Sequence, residues 1–201
     1  SKFPLDITNL LNPGNRERAK KIRSEISPDY TPIDWQLDFK SGYRWAESHI
    51  SSRLQYGHEP GVDIKTPWEL SRLQHLPQLA VAYAAAQTDV EGFEEAAAYQ
   101  LEFQNQVLDF IAANPPGFGV NWFSAMDVSI RAASLLVAFD LFKRHNAEFD
   151  LKFTSEFNAS ILEHGKFVTN NYSLTHKANH YLTEICGLLF IAAYLPKTEQ
   201  T

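Results

Sequence analysis

The sequence is poor in cross-linking residues and in blocks of positive charge. It holds one cysteine, Cys186, among 201 residues, which excludes an intrachain disulfide and a cysteine-rich metal site. Its 18 Lys and Arg stand against 24 Asp and Glu, for a formal net charge of −6. A nucleic-acid-binding domain normally carries a basic face or stripe. We therefore expect no nucleic-acid partner, and we expect neither a metal ion nor a cofactor.

Long apolar runs are also missing. The run Ile185–Leu195 covers about half of the roughly 20 residues that a membrane-spanning helix needs, so no membrane span is predicted. The opening residues, Ser-Lys-Phe-Pro, do not have the charged and apolar stretches of a signal peptide. Cys186 lies inside the apolar run, and we expect it to be a buried, small apolar residue.

Apolar and aromatic residues are plentiful. At 44% apolar content, 201 residues can form one sizeable core but not two ordinary domains with a linker. The aromatic content is 13%. Aromatic rings also stack on sugars, but core packing is the favoured interpretation for most of them.

The N-terminal part of the chain is interrupted by proline and glycine. It predicts extended or looping chain around one helix, Arg16–Ser27, with Asn15 as its N-cap. A short extended segment, Trp35–Phe39, is then followed by a helix near Tyr43–Leu54. The glycines and proline of residues 56–65 predict a loop.

From Thr66 onward the apolar spacing predicts long helices with short breaks. Thr66, Pro67 and Glu69 are typical of a helix start, and leucines follow at spacings of three and four through Pro77, where we expect a kink. Further helices are predicted at Val90–Ala113, Ser124–His145, Thr154–Asn170 and Ala178–Tyr194, the last ended by Pro196. Antiparallel helices with short connections and no fixed repeat predict an all-α array.

Three blocks of polar and aromatic residues stand out from this array. They are Trp68–Leu76 (WELSRLQHL), Asn114–Trp122 (NPPGFGVNW) with its continuation Met126–Arg131 (MDVSIR), and Asn179–Glu184 (NHYLTE). In this order and spacing they resemble the helical N-terminal domain of the heparinase II/III superfamily of polysaccharide lyases. The similarity extends over about Asp63 to Pro196.

That resemblance implies a domain organisation and an activity. It implies a lead-in at 1–62 and, at 63–201, an incomplete (α/α) toroid of antiparallel helical hairpins, with the rest of the toroid and a β-sandwich domain outside the sequence. It implies a bacterial, periplasmic or secreted enzyme that cleaves uronic-acid-containing polysaccharide, such as heparan sulfate or alginate, by β-elimination. Its partners are then an acidic polysaccharide or oligosaccharide and the β-sandwich domain. Apolar helix faces at the truncated edge of the toroid are expected to allow self-association.

The resemblance also implies the catalytic candidates. Asn179 and His180 match the family's Asn-His pair, whose side chains face the uronate carboxylate and can donate hydrogen bonds to it. Glu184 lies one helical turn after His180 and is expected to orient it. The alternative is that Asn179 caps the helix and His180 is incidental. Because the family's catalytic Tyr and a further His lie beyond this motif, residues 1–201 alone are expected to be inactive.

Further residues are candidates for binding substrate. Asn121 and Trp122 follow a glycine-rich turn, and Trp122 either offers its ring to a sugar or packs the loop onto the core. Arg131 lies deep in an apolar helix, so it must pair, with Asp127 one turn earlier, or face a cleft.

One polar stripe is predicted on the helix that starts at Thr66. It contains Glu69, Arg72 and His75, and either supplies local positive charge to a site or is a solvated face. Four other histidines have no partner pattern in the sequence and are predicted at the surface; they are His58, His145, His164 and His176.

Two other function classes fit an all-α protein of this kind. A glycoside hydrolase on an (α/α) toroid would need two carboxylates facing each other across a sugar, with Glu69, Asp127 and Glu184 as the candidates. A non-enzymatic helical module that binds carbohydrate or protein would instead have a groove without converging Asn, His and Arg side chains.

Overall fold

Helices make up nearly all the regular structure in the computed structural model, which describes residues 11–88, 90–172 and 179–195. The α-helices are α1 (Arg16–Arg23), α2 (Lys65–Ser71), α3 (Leu76–Ala86), α4 (Ala96–Ala113), α5 (Ala125–Arg144), α6 (Leu151–Asn171) and α7 (Asn179–Tyr194). Two short strands, β1 (Leu37–Asp38) and β2 (Tyr43–Arg44), pair in antiparallel fashion. The prediction of an all-α fold is confirmed.

The chain divides into two compact units, and each is built from two stretches of sequence. The first unit combines Ser1–Ser71 with Asn105–Phe123, and the second combines Arg72–Gln104 with Ser124–Thr201. Helix α4 therefore contributes residues to both. The toroid, and the division into a lead-in at 1–62 and a domain at 63–201, stay predictions.

The first unit contains a β-hairpin where a helix was predicted. The prediction of a helix near Tyr43–Leu54 is wrong. Strand β2 occupies the start of this segment, and only a 3-10 turn, Ser51–Arg53, follows. The backbone groups that a helix would use are bound elsewhere, because the Ser51 N–H donates to the Gly117 carbonyl at 2.9 Å and the His49 carbonyl accepts from Gly119 N–H at 2.9 Å. These partners are distant in sequence and outweigh local propensity.

The hairpin turn is organised by the buried carboxylate of Asp38. It accepts hydrogen bonds from the Ser41 hydroxyl at 2.5 Å and from the backbone N–H groups of Lys40 and Asp63 at 3.0 Å each. Donation from the Ser41 hydroxyl contributes most to lowering the pKa of Asp38, burial opposes this, and the two N–H groups lower the pKa further. The carboxylate therefore stays ionised and joins the hairpin to the segment before α2.

Helix α1 is shorter than predicted and is not capped by Asn15. The Asn15 side chain makes no capping hydrogen bond; instead its Nδ2 donates to the Ala112 carbonyl at 3.1 Å. The residue that looked like a local cap is thus a long-range contact within the first unit.

The long helix predicted from Thr66 is two helices. Helix α2 begins at Lys65, whose N–H donates to Asp63 Oδ1 at 3.0 Å, so Thr66 is not the N-cap. The chain then breaks at Leu73, which is fully buried and has a φ of 55°. The left-handed conformation costs an L-residue about 1–2 kcal/mol, and burial of the leucine side chain, about 1.5–3 kcal/mol, offsets it. Pro77 lies in the first turn of α3, where its missing N–H breaks no helical bond and produces no kink.

The second unit is centred on α5, which packs against α3, α6 and α7, while α6 also packs against α7. The bounds of α5 and α6 lie within three residues of those predicted. Both helices have side-chain N-caps, because Ser124 Oγ accepts from the Asp127 N–H at 3.3 Å and Asp150 Oδ1 accepts from the Phe153 N–H at 2.7 Å. Helix α4 ends as predicted at Ala113 but begins at Ala96, six residues later than predicted.

Phenylalanine rings fill the core of the second unit. Successive ring pairs have centroids 4.6–6.0 Å apart and include Phe103, Phe139, Phe142, Phe149, Phe153 and Phe157. This agrees with core packing as the main role of the aromatic residues. No helix in the described part of the chain has both the length and the apolar character required to cross a membrane.

Helix α7 has one buried side, and Cys186 is not on it. The buried residues are Glu184, Gly187 and Ile191, which lie three and four residues apart on one face. Cys186 is exposed, so its predicted burial is wrong. Leu182 and Leu189 are also exposed, at 65% and 64%. A largely apolar helix therefore presents apolar side chains to solvent.

Candidate functional site

The predicted catalytic pair lies at the start of α7. Asn179 and His180 are both exposed on its first turn. Glu184, one turn further on, is 1% exposed and faces the buried side of the helix. The structure thus presents Asn179 and His180 to solvent together, whereas Glu184 is buried. The role of Glu184 in orienting His180 stays a prediction.

A glycine allows α7 to approach α5 closely. A Cβ at Gly187 would lie 2.6 Å from Ser129 Cβ and 2.8 Å from Ser129 Cα, distances that side chains do not adopt. Because the nearest atoms include backbone, they could not move aside cheaply. This contact fixes α7 against α5 and holds the turn that carries Asn179 and His180.

Arg72 is held by a carboxylate at the start of α5. Its Nε donates to Asp127 Oδ1 at 2.6 Å, and the two side chains are 18% and 2% exposed. Asp127 lies in the first turn of α5, where the helix dipole also favours a negative charge. The guanidinium is therefore fixed in place and remains partly open to solvent.

Arg131 is fully buried and bonded to a histidine on another helix. Its Nε donates to His164 Nε2 on α6 at 2.9 Å. Of the two alternatives for Arg131, pairing or facing a cleft, its burial and this bond favour pairing, and the negative charge of Asp127 also acts on it. The prediction that His164 lies at the surface is wrong, since it is 0% exposed.

The hydrogen bonds of His164 define its protonation state. Its Nδ1 lies 2.7 Å from the Ser160 carbonyl and must donate to it, so Nε2 is the acceptor for Arg131 and the ring is neutral. Burial, followed by the charge of Arg131, lowers the pKa of His164 to about 3, and the Ser160 carbonyl opposes this. Burial lowers the pKa of Arg131 to about 9 and Asp127 opposes it, so Arg131 stays cationic at neutral pH.

A signal for the burial of His164 is present in the sequence. Phe157, Ser160, Ile161, His164 and Val168 follow one another at helical spacing, and all are buried on α6. Read as a single face, this pattern places His164 in the core. Spacing within α5 alone cannot indicate this partner of Arg131, because His164 lies on another helix.

Asn121 and Trp122 are structural residues of the first unit. Asn121 Nδ2 donates to the Trp35 carbonyl and to Asn114 Oδ1, both at 2.8 Å, and Trp122 Nε1 donates to the Asn114 carbonyl at 2.9 Å. The two residues are 1% and 2% exposed. A ring with almost no accessible face cannot stack on a sugar, so the structure favours loop packing over a substrate platform.

Gln36 completes this cluster. Its Nε2 donates to Asn114 Oδ1 at 2.9 Å, and its Oε1 accepts from the Val120 N–H at 2.9 Å. Gly119 has a φ of 66°, and a Cβ there would lie 2.6 Å from the Gln36 amide. Both the backbone conformation and the close contact therefore require glycine. The glycine-rich turn serves this packing.

The polar stripe predicted from Thr66 is not on one helix, because the chain breaks after Ser71. Glu69 is exposed on α2, whereas Arg72 and His75 are partly buried in the connection to α3. Exposure is confirmed for His58 and His145, and His176 lies outside the described residues.

The burial of carboxylates disfavours the hydrolase alternative. Two carboxylates facing a bound sugar are needed for hydrolysis. Asp127 and Glu184 are each 1% exposed, and Asp127 is occupied by Arg72. Of the three candidates only Glu69 is open to solvent.

Comparison with known proteins gave one match. A family model described as the heparinase II/III N-terminus matches residues 18–201, which include every candidate residue considered above. The searches for similar curated proteins and for similar solved structures gave no match.

Proposed function

The chain belongs to the heparinase II/III N-terminal family, and on this basis we propose that it is the N-terminal helical part of a polysaccharide lyase. Its substrate is a uronic-acid-containing polysaccharide, similar to heparan sulfate or alginate, and the reaction is β-elimination. The observation that supports this most directly is the joint exposure of Asn179 and His180 on the first turn of α7. Both residues match the Asn-His pair of the family.

The chemistry explains why these two residue types are suitable. In β-elimination a base removes the proton from C5 of the uronate, the C4–O bond breaks, a C4–C5 double bond forms and the leaving oxygen takes up a proton. Negative charge develops on the neighbouring carboxylate before the C4–O bond breaks. Asn179 donates to that carboxylate through its amide and His180 through a ring N–H, which stabilises the charge as it develops.

The proposal gives the other candidates distinct roles. Arg72, partly exposed and fixed by Asp127, supplies positive charge towards an acidic substrate. Partly buried His75 remains a substrate-binding candidate. Arg131 and Glu184 are too deeply buried for contact with substrate; they stabilise the helices that carry the pair. Glu69 is not assigned a contact, since a carboxylate repels an anionic substrate.

The test uses the full-length protein and the absorbance of the unsaturated uronate product on heparan sulfate, alginate and related uronans. Asn179→Ala is expected to lower kcat by about 10²–10³-fold with little change in KM, because the lost hydrogen bond strengthens in the transition state. Asn170→Ala is the matched control, since Asn170 is an exposed asparagine on α6, and it should leave kcat within twofold.

Three results would contradict the proposal. The first is turnover by Asn179→Ala at the wild-type rate. The second is the absence of unsaturated product from every uronan tested with the intact protein. The third is the release of new reducing ends without an unsaturated chromophore, which would indicate hydrolysis.

A further inference from the structure

A cleft of about 540 Å³ lies within the first unit, and none of the candidate catalytic or substrate-binding residues lines it. Its walls come from residues 43–58 alone, that is, from β2, the 3-10 turn Ser51–Arg53 and the loops around them. This volume lies within the range of about 300–1,000 Å³ that is typical of small-ligand sites. We call it the 43–58 cleft.

The cleft rests on a rigid base. Trp45 is 3% exposed, packs with Leu54 and Val120 in a small apolar core, and donates from Nε1 to the Gln55 carbonyl at 3.3 Å. The 3-10 turn in the wall of the cleft is fixed to the Gly119 segment, because the Ser51 hydroxyl donates to the Gly119 carbonyl at 2.7 Å. A ligand would therefore meet a surface that is already formed, which reduces the entropy lost on binding.

The lining carries positive charge and imidazole groups but no carboxylate. It includes Arg44, Arg53, His49 and His58, in a chain whose net charge is −6. The positive charge of Arg44 is neutralised by ion pairs with two carboxylates. Asp34 Oδ2 lies 2.8 Å from Arg44 Nε, and Glu47 also pairs with the guanidinium.

Arg53 differs from Arg44. It is exposed, and within the described residues it has no ion-pair partner. Its guanidinium can bind a carboxylate or sulfate group in bidentate geometry. It is thus the cation in the lining that is available to a ligand.

An aromatic ring stands beside these cations. Tyr43 is partly exposed and contacts the buried Trp45 edge to face, with ring centroids 4.8 Å apart. Its hydroxyl lies 3.4 Å from His58 Nε2, which connects the ring to the imidazole wall. An aromatic face next to hydrogen-bond donors suits a sugar ring that carries an acidic group.

We propose that the 43–58 cleft, whose lining does not include Asn179 or His180, is a binding site for an acidic saccharide. Arg53 binds the carboxylate or sulfate group, His49 and His58 donate further hydrogen bonds, and Tyr43 contacts the sugar ring. The choice of a saccharide rests on the proposed function, whereas the preference for an anion follows from the lining itself. The site would hold the polysaccharide chain and raise its local concentration without taking part in bond cleavage.

The test is isothermal titration calorimetry, which measures the Kd of the full-length protein for a uronate hexasaccharide and for a neutral glucose hexasaccharide of the same length. The Asn179→Ala background suppresses turnover during the measurement. Arg53→Gln is expected to weaken binding of the acidic ligand at least tenfold at low salt, since a charge-assisted hydrogen bond is lost. Arg16→Gln is the matched control, because Arg16 is an exposed arginine on α1 outside the cleft, and it should change Kd by less than twofold.

Three results of the titration would contradict the proposal of a saccharide site in the 43–58 cleft. A Kd for Arg53→Gln within twofold of its parent, equal affinity for the neutral hexasaccharide, or no saturable binding would overturn the proposal. A second variant, His49→Gln, should weaken binding to a smaller extent, and an unchanged Tm shows that both variants fold. The outcome is independent of product formation, so a failure of this site is distinguishable from a failure of the proposed lyase activity.

Discussion

Nε of Arg131 donates a hydrogen bond to Nε2 of His164 at 2.9 Å, and both side chains are fully buried. A positive charge in the core is thus solvated by a neutral imidazole, with the charge of Asp127 acting from one turn earlier. Protonation of His164 would abolish its acceptor and place two positive charges together. The stability of the second unit should therefore depend on pH.

The direction follows from the proton balance. Unfolded histidine binds a proton near pH 6.5, whereas the pKa of His164 in the folded protein is about 3. Between these values the unfolded chain binds more protons, so this group lowers stability as pH falls, by about 1.4 kcal/mol per pH unit. His164→Gln should remove that part of the slope while keeping an acceptor for Arg131. Urea unfolding at pH 7 and pH 5 measures the difference.

His145→Gln is the control for this experiment, since His145 is exposed at the end of α5. It should show the wild-type pH dependence. If His164→Gln also keeps the wild-type slope, the neutral imidazole is not the source of the effect.

Close packing at Gly187 predicts that an alanine there destabilises the protein more than an alanine at Gly165. Gly187→Ala places a methyl group 2.6 Å from Ser129 Cβ, and overpacking of this kind costs about 1–3 kcal/mol. Gly165→Ala places one 3.2 Å from Ile191 Cγ2, which can move slightly, and the helix gains about 1 kcal/mol from replacing glycine. Because the gain from replacing a helical glycine applies to both positions, the overpacking at Gly187 sets the difference between them. We expect the Tm of Gly187→Ala to lie at least about 2 °C below that of Gly165→Ala, which should show little change or a gain. Equal Tm values for both variants would contradict this account.

The proposed function assigns carboxylate binding to Asn179 and His180 and proton transfer to residues outside 1–201. It therefore predicts the activity of residues 1–201 expressed alone. They contain the proposed carboxylate-binding pair, Asn179 and His180, whereas the resemblance implies that the catalytic Tyr lies beyond this motif. Loss of general acid–base catalysis typically lowers rates by about 10²–10⁴-fold. We expect no steady formation of unsaturated product under conditions where the full-length protein turns over. Steady product formation would show that the proton-transferring residues lie within these 201.

The exposed apolar side of α7 predicts association with a second copy of residues 1–201. Leu182 and Leu189 are 65% and 64% exposed and, seven residues apart, lie on the same face of the helix. Phe190 is 44% exposed beside Leu189. Exposed apolar side chains of this size favour association. Light scattering at increasing concentration should show a rising mass, and Leu189→Glu should return it towards the monomer value. Leu151→Glu, at another highly exposed leucine, is the control. A monomer at all concentrations would exclude the association.

The parts of the fold that were predictable are those determined by nearby residues. Ser124 caps α5 within three residues of its own position, and the Pro-Pro-Gly segment after Asn114 stops α4 directly. Leu73 could not be predicted to break a helix, because its left-handed backbone is stabilised by burial against distant residues. The hairpin at β2 depends on partners near Gly117 in the same way.

The candidate site follows the same rule. Asn179 and His180 could be proposed as a pair because they are adjacent in sequence, and their catalytic role stays a prediction. The interior partner of Arg131 was not found because His164 is 33 residues away. Burial of Trp122 was left open, since its bond to Asn114 requires the loop to close back on itself.

Gln36 and Asn114, joined at 2.9 Å, bring together parts of the first unit that are separated by 78 residues. Residues 72–104, which belong to the second unit, are synthesised between them. The first unit therefore cannot close on the ribosome until residues up to Phe123 have emerged. While residues 72–104 are being made, Trp35 and Trp45 lack the packing partners that residues 105–123 provide in the folded unit. Contacts of such sequence separation form slowly, so the two tryptophans should gain their full protection from solvent only after residues up to Phe123 have been made.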